Sequence, residues 1–132
     1  MRLPIAFVTL AIVFLAIDMV WLGVLARDLY RSQMGHLMAD TVRFGAAAGF
    51  YLLYFAGVTY FVVSPAVAAG DWKAAILPGA FFGLVAYATY DLTNLAVIRD
   101  WPVNVTFIDL AWGAFLTSLA ATVASFVALK VG

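Results

Sequence analysis

Apolar positions run along this chain in four long stretches, interrupted by short polar corners. The stretches are Leu3 to Ala26, about Thr41 to Val63, about Lys73 to Ile98 and about Val103 to Leu129. Each matches the roughly 20 mostly apolar residues that cross a bilayer. Ser64-Pro65 is expected to close the second, because proline interrupts the helical ladder. Lipid offers no partner to an open backbone group, so every span is expected to be α-helical. The predicted fold class is therefore all-α: an integral membrane bundle of four transmembrane helices, one domain over residues 1–132, with both termini on the same side. We call the face holding the N-terminus side A and the opposite face side B.

The corners carry their own signals. The first run is longer than the apolar core of a secretory signal and contains Asp18, so it is read as a retained span. Arg27 to Asp40 forms the one long connection, with Tyr30, Arg31, Gln33 and the sole His36. It is expected to lie in the headgroup region as a short amphipathic piece. His36 is read as a loop residue, with Asp40 one turn on as its candidate ion-pair partner. Asp71 and Asp100 are expected to cap the helices that follow them, and Trp72 and Trp101 to sit in the interfacial belt. Pro78 is expected to bend the third span near side A. Gly45-Ala-Ala-Ala-Gly49 is a small-xxx-small pattern that suits close helix packing.

Composition narrows the class further. Apolar residues make up 67% of the chain and charged residues 11%, against about a quarter charged in soluble domains. There is no Cys, which excludes disulfides and thiolate metal sites. Formal net charge is zero, so no basic patch is available and nucleic acid is not an expected partner. Side A would hold Arg2, Lys73 and Lys130, and side B Arg27, Arg31, Arg43 and Arg99. That difference is too small for the positive-inside rule to fix orientation.

All seven acids are Asp, and three lie inside spans. At 1.5 Å per residue, Asp18 lies roughly 13 Å, Asp91 roughly 12 Å and Asp109 roughly 10 Å below the side-B boundary. Each acid costs about 3 kcal/mol to insert near a span centre, so they are expected to turn inward and share a polar pocket. Tyr87, Tyr90, Asp91 and Asn94 follow one stripe of the third span, and Asp109 and Trp112 one of the fourth. Asp18 and Trp21 share a face of the first. Because the first and fourth helices run oppositely, Asp18 is expected level with Trp112, and Trp21 level with Asp109. Each indole N–H would then donate to the other helix's carboxylate. Arg27, Arg43 and Arg99 are the counter-ions in reach. No metal is assigned and no cofactor is specified.

The runs Asp18-Met-Val-Trp21-Leu-Gly23, Gly35-His36-Leu-Met38, Tyr51-Leu-Leu-Tyr54, Tyr87-Ala-Thr-Tyr90-Asp91-Leu-Thr-Asn94, Trp101-Pro102 and Asp109-x-x-Trp112-Gly113 resemble a family of small bacterial predicted membrane proteins, catalogued as domain of unknown function 2177. The resemblance covers nearly the whole chain. It implies a multi-pass protein of four helices in the bacterial inner membrane, and brings no activity with it. From the residues, the leading expectation is binding or transport of a cation or a proton-coupled small solute through the intramembrane Asp cluster, with the bilayer and a second copy of the chain as partners. Two alternatives stay open. One is a membrane enzyme acting on a lipid or isoprenoid substrate, with the Asp groups and Asn94 holding a divalent metal. The other is a non-catalytic membrane partner subunit whose polar groups only fix packing.

Overall fold

The computed structural model describes residues 2–38 and 43–132. Four of its helices are long and apolar enough to cross a membrane: α1 (Arg2–Leu25), α3 (Phe44–Ala68), α4 (Trp72–Val97) and α5 (Val103–Val131). Between the first two lies the short α2 (Arg27–Met34), followed by a single 3-10 turn at Gly35–Leu37. No strand occurs among the described residues.

Helix α5 is the central element. Its small residues Ala120, Ala121, Ala124 and Ala128 are fully buried and let α1 approach closely, with Ala6, Leu10 and Phe14 of α1 in the same core. The two helices are antiparallel: a Cβ on Gly132 would stand 3.2 Å from the Arg2 Cα. Both described chain ends therefore meet on side A, as the count of four spans predicts. On another face, α5 packs along α4. This crossing depends on glycine. A Cβ on Gly79 would come within 2.9 Å of the Ser118 Cα, and one on Gly83 would meet the Gly113 carbonyl and, at 2.7 Å, the Thr117 Cβ.

The small-residue pattern that packs is thus Gly79-x-x-x-Gly83, not the expected Gly45-x-x-x-Gly49. Among the described residues, nothing lies within 4 Å of a Cβ added at Gly45 or Gly49. The two halves of α3 pack differently. Its second half is tied into the core through Tyr54, Phe55, Val58, Val62 and Val63, and Tyr54 hydrogen-bonds Thr117 of α5. Its first half stands away, with Phe44, Leu52 and Leu53 all largely exposed.

Three further expectations are corrected. Helix α3 does not stop at Ser64-Pro65 but runs to Ala68, because a wider π turn at Thr59–Val63 precedes the proline. There the Ser64 N–H reaches back to the Thr59 carbonyl, which shifts the carbonyls a proline ring would otherwise strike. The predicted start of this span at Thr41 lies outside the described residues. Pro78 falls in the first α-helical turn after a 3-10 opening at Trp72–Ala75, where a missing N–H costs little. Trp101 is not in the belt. It is buried with Ala26, Tyr30, Met34 and Val105 under the side-B surface. Asp100 does not cap α5, whose N-cap Pro102 has no side-chain cap. Asp100 instead takes a left-handed φ of 65°, which short polar side chains tolerate, and faces His36 at 3.9 Å. Asp71 does cap as expected, accepting from the Lys73 N–H at 3.1 Å.

Candidate functional site

The polar cluster forms where α1 and α5 pass each other beneath side B. A helix turn of three residues separates Asp18 from Trp21, and another separates Asp109 from Trp112. In an antiparallel pair these offsets interlock. The Trp112 indole N–H donates to Asp18 Oδ1 at 3.1 Å, and the Trp21 and Trp112 rings stack at 4.4 Å with their planes 14° apart.

The second expected bond, Trp21 to Asp109, is not made. The Trp21 indole N–H donates to the Tyr30 hydroxyl at 3.2 Å, and that hydroxyl donates to Asp109 Oδ1. Helix α2 is responsible. It is amphipathic over a single face: Tyr30 and Met34, four residues apart, are buried, while Arg27, Asp28 and Arg31 are exposed. The π turn ending α1 and the bend at Ala26 fold this face back over the bundle, so the phenol slides between indole and carboxylate. Burial first, and donation to Asp109 second, hold the Tyr30 phenol above its ordinary pKa range.

These groups surround a cavity of about 320 Å³. Asp18 and Trp21 come from α1, Asp109 and Trp112 from α5, and Tyr87 and Tyr90 from α4. Tyr30 and Met34 line it from side B together with Leu22 and Met38, and Tyr51 of α3 forms part of the wall. Asp18 is 7% exposed and Asp109 9%. Each spends Oδ1 on the bonds above, and the Asp109 carboxyl also lies within hydrogen-bond reach of Asp91. Two nearly buried carboxyl groups therefore stand at the edge of one hollow.

Asp91 and Asn94 do not line that cavity, although their spacing placed them on its stripe. Adjacent helical residues point about 100° apart, and here Tyr90 takes the rim, edge-on to Trp101 at 5.7 Å. Asp91 is turned into the protein and is 0% exposed. Neither of its oxygens has a hydrogen-bond partner among the described residues, and the Asp109 carboxyl is close enough to act on it through space. Two ionised carboxylates hold no donor between them; one shared proton would supply it. Asn94 is half-buried, and its backbone carbonyl ends α4 by accepting from the Ile98 N–H at 2.8 Å.

The three arginines are not counter-ions to these acids. Arg27, Arg43 and Arg99 are exposed, and the one ion pair among the described residues is His36 with Asp100. Long cationic side chains at a span end extend to the headgroups rather than inward. Asp40, the expected partner of His36, lies outside the described residues. Among the described residues no group of three or more His, Cys, Asp or Glu is placed to hold a metal ion.

Sequence reasoning missed Tyr30 and Tyr51 as wall residues. Tyr30 left a signal, since Tyr30 and Met34 are the buried i, i+4 pair of an otherwise charged helix. Tyr51 left none, because α3 is apolar on every face.

No curated protein and no solved structure matches the chain. A family model described as "Predicted membrane protein (DUF2177)" matches residues 3–126, nearly the whole chain. The protein accordingly belongs to this family of predicted membrane proteins, with four candidate spans and a cavity of acids and aromatic rings among them.

Proposed function

We propose that the protein binds a small cation, or a cationic solute exchanged for protons, in the cavity between α1, α4 and α5, and passes it through the bacterial inner membrane. The observation that supports this reading is the pair of carboxyl groups of Asp18 and Asp109, each more than nine-tenths buried and both at the edge of one hollow. A carboxylate so placed is costly unless something positive completes it. The stacked indoles of Trp21 and Trp112 add two aromatic rings to the same wall, and indole faces attract cations. Asp91, directly behind Asp109, gives the site a second carboxyl with which a proton can be shared when the ligand leaves. Intramembrane acids that face a cavity are the usual positions for ion and proton relays.

The test is reconstitution into proteoliposomes with a trapped pH-sensitive dye. Sodium, potassium, tetramethylammonium and benzyltrimethylammonium are added in turn across an imposed pH gradient. The expected result is cation-dependent proton movement with at least one of them, abolished by Asp109→Asn and strongly reduced by Asp18→Asn. Proton movement unchanged in Asp109→Asn protein, or absent with every cation in wild type, would overturn the reading.

A further inference from the structure

We infer that the ligand of this cavity is an amphiphilic cation, one charged head carrying an apolar group, and that it enters sideways from the bilayer between α3 and α4. This rests on the cation-binding reading above and specifies its substrate class. The carrying observation is a second hollow of about 270 Å³, lined by Phe50 of α3 and Ala86, Tyr87 and Tyr90 of α4. Tyr87 and Tyr90 also line the acidic cavity, so the two spaces share a wall and adjoin at these rings. One compartment offers two nearly buried carboxyl groups and two indoles. Its neighbour offers only hydrocarbon, aromatic faces and two phenol edges.

The location fixes the direction of access. Phe50 is 52% exposed and Tyr90 56%, so the outer edge of the apolar hollow is at the lipid-facing surface. There the first half of α3 is largely exposed while its second half is packed in the core. On side B, Tyr30 and Met34 of α2 line the acidic cavity beside the half-exposed Leu22 and Met38. A molecule dissolved in the bilayer thus meets an apolar crevice that adjoins the acids. A bare inorganic ion would use the acids and leave the crevice idle. An apolar solute without charge would leave two nearly buried carboxylates uncompensated. Only a ligand with both parts satisfies both compartments, with the head between Asp18 and Asp109 and the apolar group against Phe50 and Ala86.

Purified protein in nanodiscs of zwitterionic lipid is titrated with tetramethylammonium, benzyltrimethylammonium and the uncharged isostere neopentylbenzene. Binding is read by tryptophan fluorescence and by proton release to a dye in weak buffer. Benzyltrimethylammonium is expected to bind at least about tenfold tighter than tetramethylammonium, since a buried ring adds well over the 1.4 kcal/mol that a factor of ten represents. Neopentylbenzene is expected to release no protons. Ala86→Phe, which fills the crevice, is expected to remove the benzyl advantage and leave tetramethylammonium binding intact. Phe50→Ala, at a half-exposed position outside the core, guards against a folding defect: it removes one wall of the crevice and is expected to shrink the benzyl advantage while tetramethylammonium binding stays intact. Equal affinity for the two cations, unchanged in both variants, overturns the amphiphile inference while the cation site stands. Failure of both cations to bind or to release protons overturns the two together.

Discussion

Replacing Gly83 by alanine tests the crossing on which the cavity is built. The added methyl would meet the Gly113 carbonyl and lie 2.6 Å from Thr117 Oγ1 and 2.7 Å from its Cβ. A carbonyl cannot rotate away as a side chain can, and Thr117 is itself held by Tyr54. The helices must therefore separate. Overpacking of this kind costs about 1–3 kcal/mol, and the helix-propensity gain of Ala over Gly returns about 0.5–1 kcal/mol. The net expectation is a loss of about 1–2 kcal/mol, a shift of roughly tenfold in the unfolding equilibrium. Gly49→Ala is the internal control. No atom lies within 4 Å of its added Cβ, so it should be neutral within about 0.5 kcal/mol or slightly stabilising. Both variants are unfolded reversibly by raising the dodecyl sulfate fraction in mixed micelles, with tryptophan fluorescence as readout. A Gly83→Ala midpoint equal to wild type, or Gly49→Ala proving the more damaging, would mean that α4 and α5 do not cross at these glycines.

Three further outcomes follow from the same geometry. Tyr30→Phe removes the hydroxyl that joins Trp21 to Asp109, leaving an indole N–H and a carboxylate oxygen without their partner; a loss of about 1.5–3 kcal/mol is expected in the same unfolding assay, and a change below about 0.5 kcal/mol would show that the bridge is not formed. The Tyr30 phenol is held above its ordinary range by burial. Its contribution is therefore complete below the free phenol's value of about 10 and is lost as pH climbs through the higher folded value. Wild type should thus weaken in the alkaline limb more than Tyr30→Phe does, and parallel limbs would refute this. Trp112→Phe keeps a ring on Trp21 but deletes the donor to Asp18 Oδ1, so it should weaken cation-linked proton release while costing about 1–2 kcal/mol of stability; unaltered release would remove Trp112 from the site.

Depth was legible in the sequence to within a turn. Asp18, Trp21, Asp109 and Trp112 come to one level because span boundaries and a fixed rise per residue determine height along a helix. The Trp112–Asp18 bond follows from that height and from the opposed directions of α1 and α5. Packing glycines were legible as a type and not as a place. Gly45-x-x-x-Gly49 and Gly79-x-x-x-Gly83 have the same spacing, and only the packing of α3 decides which one meets a neighbour. The end of α3 was misjudged because a π turn five residues long leaves no mark in apolar text, yet it is what lets the chain carry Pro65 inside a helix.

What the spacing could not supply is rotation about each helix axis relative to its neighbours. Tyr90 and Asp91 illustrate the consequence, for the same stripe that predicted both in the pocket can satisfy only one of them. In a soluble protein the polar residue would turn outward to water and Tyr90 inward. In a bilayer the preference inverts: an exposed phenol is tolerated at the rim, while the carboxyl must leave the lipid. Asp91 therefore turns into the α4–α5 seam, and its nearest electrostatic company is Asp109. That inversion is why the acid most conspicuous in the sequence stands behind the cavity wall, and why the cavity is lined by its neighbours Tyr87 and Tyr90 and the two carboxyls of α1 and α5. It also separates two roles within the proposed reading. There Asp18 and Asp109 would touch a bound cation, and Asp91 would act on one only through Asp109. Asp91→Asn should then leave cation affinity within a few-fold of wild type while changing how many protons are released on binding, whereas Asp109→Asn should remove both. Equal losses from the two substitutions would place Asp91 in contact with the ligand and contradict the geometry described for α4.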